Sequence, residues 1–524
     1  MTQQVQPITQ RVLKQHTIWQ DGQQPSPCAI VIFGATGDLT RRKLLPTLAH
    51  LTKDHPLPQG FSIVGFARRP MNDEQYRGMA LDSVMQFMPE DDKLDKKQQE
   101  IFAQRIFYCQ SDFDDREGYQ KLADLLERLA NERGTEGNSI YYLAIPPTSD
   151  SEIVHQLGAA GLAHPSRING DEDPWARIII EKPFGRDLAS AQKLNRELGR
   201  VFHENQIYRI DHYMGKETVQ NLLAFRFANG IFEPLWNQKY IDHVQILVAE
   251  SLGIGTRAEY FEEAGAIRDM VQNHIMQVIT LTTMEPPVAF DADAIRDEKV
   301  KVLRAIPLMT PEEVAERTVR GQYAPGIIDG QPVVGYTQEQ GVAPNSKTET
   351  YVALKLFIEN WRWAGVPFYI RTGKRLPKRS TEVTIQFKRV PYQLYKPSEI
   401  TGLQPNRLTI RIQPDEGISL KFGAKIPGAA RHLSSVDMNF SYASAFGIES
   451  PDAYERLLAD CMIGDSTLFI RRDEVEASWR ITDSITNGWA NLPSNTIYQY
   501  ASGTWGPAEA DELIEKDGRQ WDNP

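Results

Sequence analysis

Ala29-Ile30-Val31-Ile32-Phe33-Gly34-Ala35-Thr36-Gly37-Asp38-Leu39 reads as an apolar strand, a glycine turn and the opening of a helix. Leu44, Leu45, Leu48 and Leu51 continue the helical pattern, and Pro46 interrupts it, so a kink or a pair of short helices is expected there. In such a strand, turn and helix, backbone N–H groups and the helix N-terminus can meet a pyrophosphate with no side chain in the way. The turn departs from G-x-G-x-x-G, because Ala35-Thr36 separates the glycines and Thr40 takes the third glycine's place. Alone, an ordinary tight turn explains it equally well.

Working outward, 61–66, 139–145 and 177–180 are further buried-strand candidates, separated by helix-compatible stretches around 74–87 and 119–133. This alternation predicts a Rossmann-type, doubly wound α/β domain over 28–210, preceded by a flexible tail over 1–27. Beyond it the pattern changes. Segments 242–249, 350–358, 382–387 and 408–413 alternate as strands of a mainly antiparallel sheet do, and Pro414-Asp415-Glu416-Gly417 fits a hairpin into 418–422. A larger α+β domain is therefore expected over 211–524, for substrate binding and oligomerisation, opening with a helix at 211–227. The Gly- and Pro-rich stretch 321–345 reads as a long excursion or lid.

Composition narrows the class. With 524 residues, 41% of them hydrophobic and 24% charged, the chain is globular and large enough for more than one core. A formal net charge of −11 offers no overall field for nucleic acid or an anionic membrane, so neither is expected as a partner. No apolar run reaches spanning length, and the Gln-rich start lacks the order of a secretion signal, which predicts a cytoplasmic protein. Cys28, Cys109 and Cys461 are few, odd in number and without C-x-x-C spacing, so neither a disulfide framework nor a metal site is expected.

Three further stretches carry chemistry. After the second strand, where an acidic residue would hold the ribose 2′-hydroxyl of NAD, stand Arg68 and Arg69, whose guanidinium groups suit the 2′-phosphate of NADP. Ile178-Ile179-Ile180-Glu181-Lys182-Pro183-Phe184-Gly185 ends an apolar strand in a charged pair, placing Lys182 at the nicotinamide crevice. In Arg209-Ile210-Asp211-His212-Tyr213-Met214-Gly215-Lys216-Glu217, helical spacing would gather His212, Tyr213 and Lys216 on one face as a phosphate clamp, with Asp211 aimed elsewhere. A capped surface helix is the competing reading of that segment.

Taken together, 34–39, 181–185 and 209–217 closely resemble the signature segments of the glucose-6-phosphate dehydrogenase family, in order and in spacing. The resemblance continues through Ile267-Arg268-Asp269-Met270-Val271-Gln272-Asn273-His274 and through 361–374. It implies oxidation of β-D-glucose 6-phosphate at C1 to 6-phospho-D-glucono-1,5-lactone with hydride transfer to NADP, the first step of the oxidative pentose phosphate pathway. It implies His274 as general base and Asp211 as the carboxylate that orients and charges the imidazole. Residues matching those that hold the substrate phosphate are His212, Tyr213, Lys216 and Lys374, with Arg379 near it, while Lys182, Glu250 and Asp269 match holders of sugar hydroxyls. On the cofactor side it implies Gly34, Ala35, Thr36, Gly37, Asp38, Leu39, Lys43, Arg68, Pro146 and Lys182. It further implies a homodimer or homotetramer. Some relatives carry a second, structural NADP near positions matching Arg371, Arg411 and Gln413, but Ser380 and Thr384 replace basic side chains there, which argues against it. The rival enzyme class resembles glucose-fructose oxidoreductase, which would need no phosphate clamp. A non-catalytic NADP-binding regulator would lack His274 and Asp211.

Overall fold

The computed structural model describes residues 18, 24–55, 57–164, 174–328, 330–395, 400, 402–428, 432–446, 452–492 and 496–524. The expected tail over 1–27 lies outside them except at 18 and 24–27. The chain forms two compact units, one of Met1–Lys216, Ala289–Arg296 and Ser450–Val475, the other of Glu217–Val288, Asp297–Glu449 and Glu476–Pro524.

In the first unit six strands, β1 (Ala29–Phe33), β2 (Ser62–Ala67), β3 (Ile106–Gln110), β4 (Ser139–Leu143), β5 (Ala176–Glu181) and β6 (Ile207–Ile210), form one sheet in the order β3-β2-β1-β4-β5-β6. Every neighbouring pair is parallel. β1, β2 and β4 are buried along their whole length, which is why they read as unbroken apolar runs rather than alternating ones. Strand order reverses between β1 and β4, and a ligand crevice opens outside the carboxyl ends of strands at such a switch point. Pro46 does not break the helix after β1 into separated pieces. A π-helical stretch, Thr40–Leu44, runs directly into the α-helix Leu45–Asp54, whose first turn accommodates the missing proline N–H.

The second unit is built on nine strands: β7 (Ile241–Ala249), β8 (Thr318–Ala324), β11 (Tyr351–Leu356), β12 (Phe368–Gly373), β13 (Ser380–Phe387), β14 (Arg407–Gln413), β15 (Gly417–Lys425), β16 (Leu433–Ser441) and β17 (Tyr498–Ala501). A separate two-stranded hairpin, β9 (Gly326–Ile328) and β10 (Gln331–Val333), accounts for the intervening numbers. The sheet order is β16-β15-β14-β13-β7-β12-β11-β8-β17. It is mainly antiparallel, with parallel pairing of β7 to β12 and of β8 to β17.

The stretch 321–345 is built of short structured pieces. It begins inside β8, continues through the β9–β10 hairpin and ends past a 3₁₀ turn at Tyr336–Gln338. Tyr323, Tyr336 and Val342 are buried in one core cluster with Phe261, Tyr351 and Tyr500, so the glycines and prolines mark turns between short anchored pieces. Among the described residues, no helix is long and apolar enough to cross a membrane.

Candidate active site

The turn after β1 is shaped by backbone contact. Gly34 has φ +79°, and a Cβ there would stand 2.3 Å from the carbonyl oxygen of Ala144, just past β4. Glycine alone suits both the dihedral and this approach. Gly37 N–H donates to the Gly34 carbonyl (2.9 Å), and the Thr40 hydroxyl donates to the same oxygen (3.0 Å). Thr40 therefore braces the turn from the third-glycine position, a role that sequence spacing does not reveal. Ala35, Thr36, Asp38 and Leu39 complete the turn, and Lys43 lies one helical turn on, 3.0 Å from Asp452.

Arg68 and Arg69 are exposed immediately after β2, the strand beside β1. Their loop is fixed from below by the Tyr108 hydroxyl, which donates to the carbonyls of Ala67 (3.0 Å) and Arg69 (2.6 Å). Pro146 is exposed after β4 and precedes the 3₁₀ turn Pro147–Ser149. These groups fit a dinucleotide with a 2′-phosphate: a turn opened by glycine at the switch point, and exposed guanidinium groups at the end of the neighbouring strand.

At the end of β5, Glu181 is followed by Lys182 and a cis Lys182–Pro183 peptide. The Tyr142 hydroxyl, on β4, donates to Glu181 Oε1 (2.5 Å), and Tyr454 makes a second hydrogen bond to this carboxyl. Burial pushes the Glu181 carboxyl up to about 7, against the pull of both tyrosine hydroxyls and of Lys182. Neither tyrosine was flagged by sequence, because both lie far away along the chain.

Residues 211–216 are not helical. They form a turn, and the helix begins only at Glu217 (Glu217–Phe227). Asp211 Oδ1 accepts from the Tyr213 N–H (2.9 Å), while Met214 and Lys216 N–H groups reach the carbonyls of Asp211 (2.9 Å) and Tyr213 (3.1 Å). This aspartate-capped turn competes with helix formation and wins, so the helical-face argument for the clamp fails in its geometry. The clamp residues are gathered nonetheless. The Lys216 ammonium lies 4.2 Å from the Tyr213 ring centre, and the Tyr213 and His212 rings are 5.2 Å apart, edge to face. Asp211 is 1% exposed.

In the second unit, Glu250 and Lys374 directly follow the adjacent parallel strands β7 and β12, whose last residues Ala249 and Gly373 are in register. Lys374 is 3% exposed, yet its ammonium is 2.6 Å from Glu250 Oε2 and 3.7 Å from Asp269 Oδ2. A buried cation thus sits between the buried Asp269 carboxylate and a partly exposed Glu250, which lowers the cost of desolvating the lysine and the aspartate. Tyr500 positions the lysine by donating to its carbonyl (2.7 Å), and Tyr260 donates to Asp269 Oδ1 (3.2 Å). Both tyrosines escaped the sequence reading.

Asp269 and His274 lie on a π-helical segment, Ile267–Ile275, that passes into the α-helix Met276–Thr283. His274 is 1% exposed, and its backbone N–H donates to Asn273 Oδ1 (2.6 Å). The segment starts abruptly. Gly265 has φ 59° and ψ 177°, which places the next two N–H groups on Glu349: Ala266 on its carbonyl (2.8 Å) and Ile267 on Oε1 (3.1 Å). A Cβ at Gly265 would lie 2.2 Å from that carboxylate. Wide π turns recur at functional sites, where they re-aim side chains. Arg379, in the same unit, donates to Gln413 Oε1 (2.9 Å) and lines a cavity of about 670 Å³ with Lys378, Arg407 and Arg411. Arg371 is turned to the chain's own C-terminal segment, between the Trp505 and Trp521 rings (5.1 and 4.7 Å) and donating to Asn523 Oδ1 (2.6 Å).

Comparison with known proteins covers both units. Residues 31–221 match the family described as glucose-6-phosphate dehydrogenase, NAD binding domain, and 223–522 match its C-terminal domain. Glucose-6-phosphate 1-dehydrogenase of Chlamydia pneumoniae is 51% identical over 497 residues, 94% of this chain and 96% of that one. The Bacillus subtilis (strain 168) protein of the same name is 46% identical over 502 residues, 96% of this chain and 99% of its own. Among solved structures, a glucose-6-phosphate dehydrogenase in complex with its substrate glucose-6-phosphate superposes with a TM-score of 0.86 at 34% identity, covering 96% and 99% of the two chains. The glucose-6-phosphate 1-dehydrogenase of Mycobacterium avium gives 0.79 at 36% identity, covering 95% and 99%. With both of its units matched and relatives this similar along nearly the full length, the chain belongs to the glucose-6-phosphate dehydrogenase family.

Proposed function

We propose that this chain is an NADP-dependent oxidoreductase that converts β-D-glucose 6-phosphate to 6-phospho-D-glucono-1,5-lactone. The observation that carries the reading is family membership across both units, together with a cation, imidazole and phenol gathered at 212–216. The backbone of Gly34 to Gly37 receives the pyrophosphate, Arg68 pairs with the 2′-phosphate, and Lys43 and Pro146 flank the cofactor. When bound, the nicotinamide supplies the hydride acceptor at its C4.

His212, Tyr213, Lys216 and Lys374 hold the substrate phosphate, with Arg379 as a further basic group toward it. Lys182, Glu250 and Asp269 hold sugar hydroxyls. His274 removes the proton from the C1 hydroxyl; the O–H electrons become the second C–O bond of the lactone as the C1 hydride leaves. Asp211 fixes the imidazole tautomer and stabilises the imidazolium as it forms. The domain reading that goes with these roles is 28–210 for the cofactor and 211–524 for substrate and oligomerisation, in a homodimer or homotetramer located in the cytoplasm.

The test follows reduced-nicotinamide absorbance with glucose 6-phosphate or glucose, and with NADP or NAD. The expected result is rapid reduction of NADP with the phosphorylated sugar and far slower reaction with glucose or NAD. No reduction with glucose 6-phosphate and NADP would overturn the proposal.

A further inference from the structure

One carboxylate outside the residues so far assigned a role is held by two imidazoles. Glu455 lies in the first turn of the helix Ala453–Ile463 and is 3% exposed. Its Oε1 is 2.8 Å from His50 Nδ1 and 3.3 Å from His55 Nε2. Both histidines belong to the helix that continues the dinucleotide turn, Leu45–Asp54, or directly follow it. His50 Nε2 faces Asp54 (3.1 Å) and, at 4.0 Å, Asp92, which Lys53 also approaches (3.6 Å). Burial alone would raise the Glu455 carboxyl, but the hydrogen bonds and charge of His50 and His55 hold it at about 2, and the bond to Glu455 raises His50 in turn. This is a strong anchor in a place where a buried acid is otherwise costly.

The neighbours of Glu455 on the same turn explain the anchor. Asp452, the N-cap, pairs with Lys43 (3.0 Å). Tyr454 hydrogen-bonds Glu181, and its ring lies parallel to that of His212, with an interplanar angle of 7° and centres 6.5 Å apart. The carbonyl of Ala453 packs on the clamp turn, where a Cβ at Gly215 would come within 2.4 Å of it. Four consecutive residues of one helix end therefore touch, in order, a cofactor-side lysine, the clamp turn, the imidazole of the clamp and the cofactor helix.

We propose that Glu455, clamped by His50 and His55, is a positioning residue that locks this helix end to the dinucleotide-binding helix, so that the cofactor turn and the phosphate clamp at 212–216 share one rigid support. The inference rests on the functional reading above. It requires that loosening the anchor weakens both ligands together while the chemical step is spared, since Glu455 touches neither reacting centre.

The experiment compares wild type with Glu455→Gln, His50→Gln and the double variant, measuring kcat, both KM values and NADP affinity by equilibrium fluorescence. The expected result is a parallel rise of about threefold or more in both KM values and in the NADP dissociation constant, with kcat within about twofold. The double variant should be little worse than Glu455→Gln, because the two changes break one interaction. Unchanged ligand affinities in a folded variant, a shift in only one of them, or a fall in kcat alone would overturn the proposal. If Glu455→Gln does not fold, His50→Gln and His55→Gln decide by the same criteria. Wild-type activity toward glucose 6-phosphate is scored separately, and the NADP dissociation constant still reads the anchor if that activity is absent.

Discussion

The turn after β1 and the cluster after β7 and β12 occupy equivalent places, the carboxyl ends of neighbouring parallel strands, and present opposite chemistry. Around Gly34 the working surface is backbone, fringed by exposed Arg68 and a half-exposed Lys43. Around Lys374 it is made of side-chain charges that neutralise one another, with Lys374 and Asp269 withdrawn from water and Glu250 at its edge. A backbone cradle can be tuned at its rim without loss of fold. A buried charge cluster has no rim to spare, since removal of one member strands the others. Affinity and cofactor choice should follow the first region, and turnover and stability the second.

The most severe break of that contrast is His274→Asn, which should lower kcat by ~10²–10⁴ with substrate binding retained, as measured by steady-state kinetics beside equilibrium binding. An unchanged kcat would remove His274 from the chemistry. Next, Lys374→Ala should cost about 3–5 kcal/mol in chemical denaturation, because the buried Asp269 is left without its cation. Lys43→Ala, which breaks an exposed pair, should cost only about 0–1 kcal/mol. Equal losses would erase the distinction between the two regions.

Glu181, at the end of β5, shows what a charge costs when it is buried in the cofactor-binding unit. Its folded carboxyl is raised to about 7 from an ordinary 4.5, chiefly by desolvation, so the folded state holds the proton more tightly than the unfolded chain. Its contribution is therefore most favourable below the ordinary value and is lost as pH rises through about 7. Glu181→Gln should remove roughly 2–3 kcal/mol of this decline, visible as a flatter dependence of Tm on pH between these limits. A variant with the wild-type slope would contradict the assignment. The smallest effect is expected at the rim. Arg68→Ala should narrow the preference for NADP over NAD by about tenfold in kcat/KM, with little change in Tm.

Much of the fold could be read from the chain because both sheets leave local signatures. β1, β4 and β5 are apolar runs and β14 alternates strictly between buried and half-buried positions, each as its surroundings require. The clamp segment shows the limit. Asp211 to Lys216 has helical spacing, but helical periodicity does not register that an aspartate can cap the backbone two residues ahead and hold a turn. The supports of the site were hidden for another reason. Tyr142 and Tyr454 meet Glu181, and Glu349 caps the segment bearing His274, through contacts between distant positions, while Tyr260 meets Asp269 across the non-helical break at Gly265; no spacing rule encodes any of them. Likewise, nothing local marks Ser450–Val475 as part of the first unit.

The central claim is a direct transfer from C1 of the sugar to the dinucleotide, and isotope transfer reads it without reference to any rate. With glucose 6-phosphate carrying deuterium at C1, the reduced cofactor isolated after one turnover should contain that deuterium at C4 of its nicotinamide ring. Reduced cofactor without the label, or a label that exchanges into water, would contradict the account.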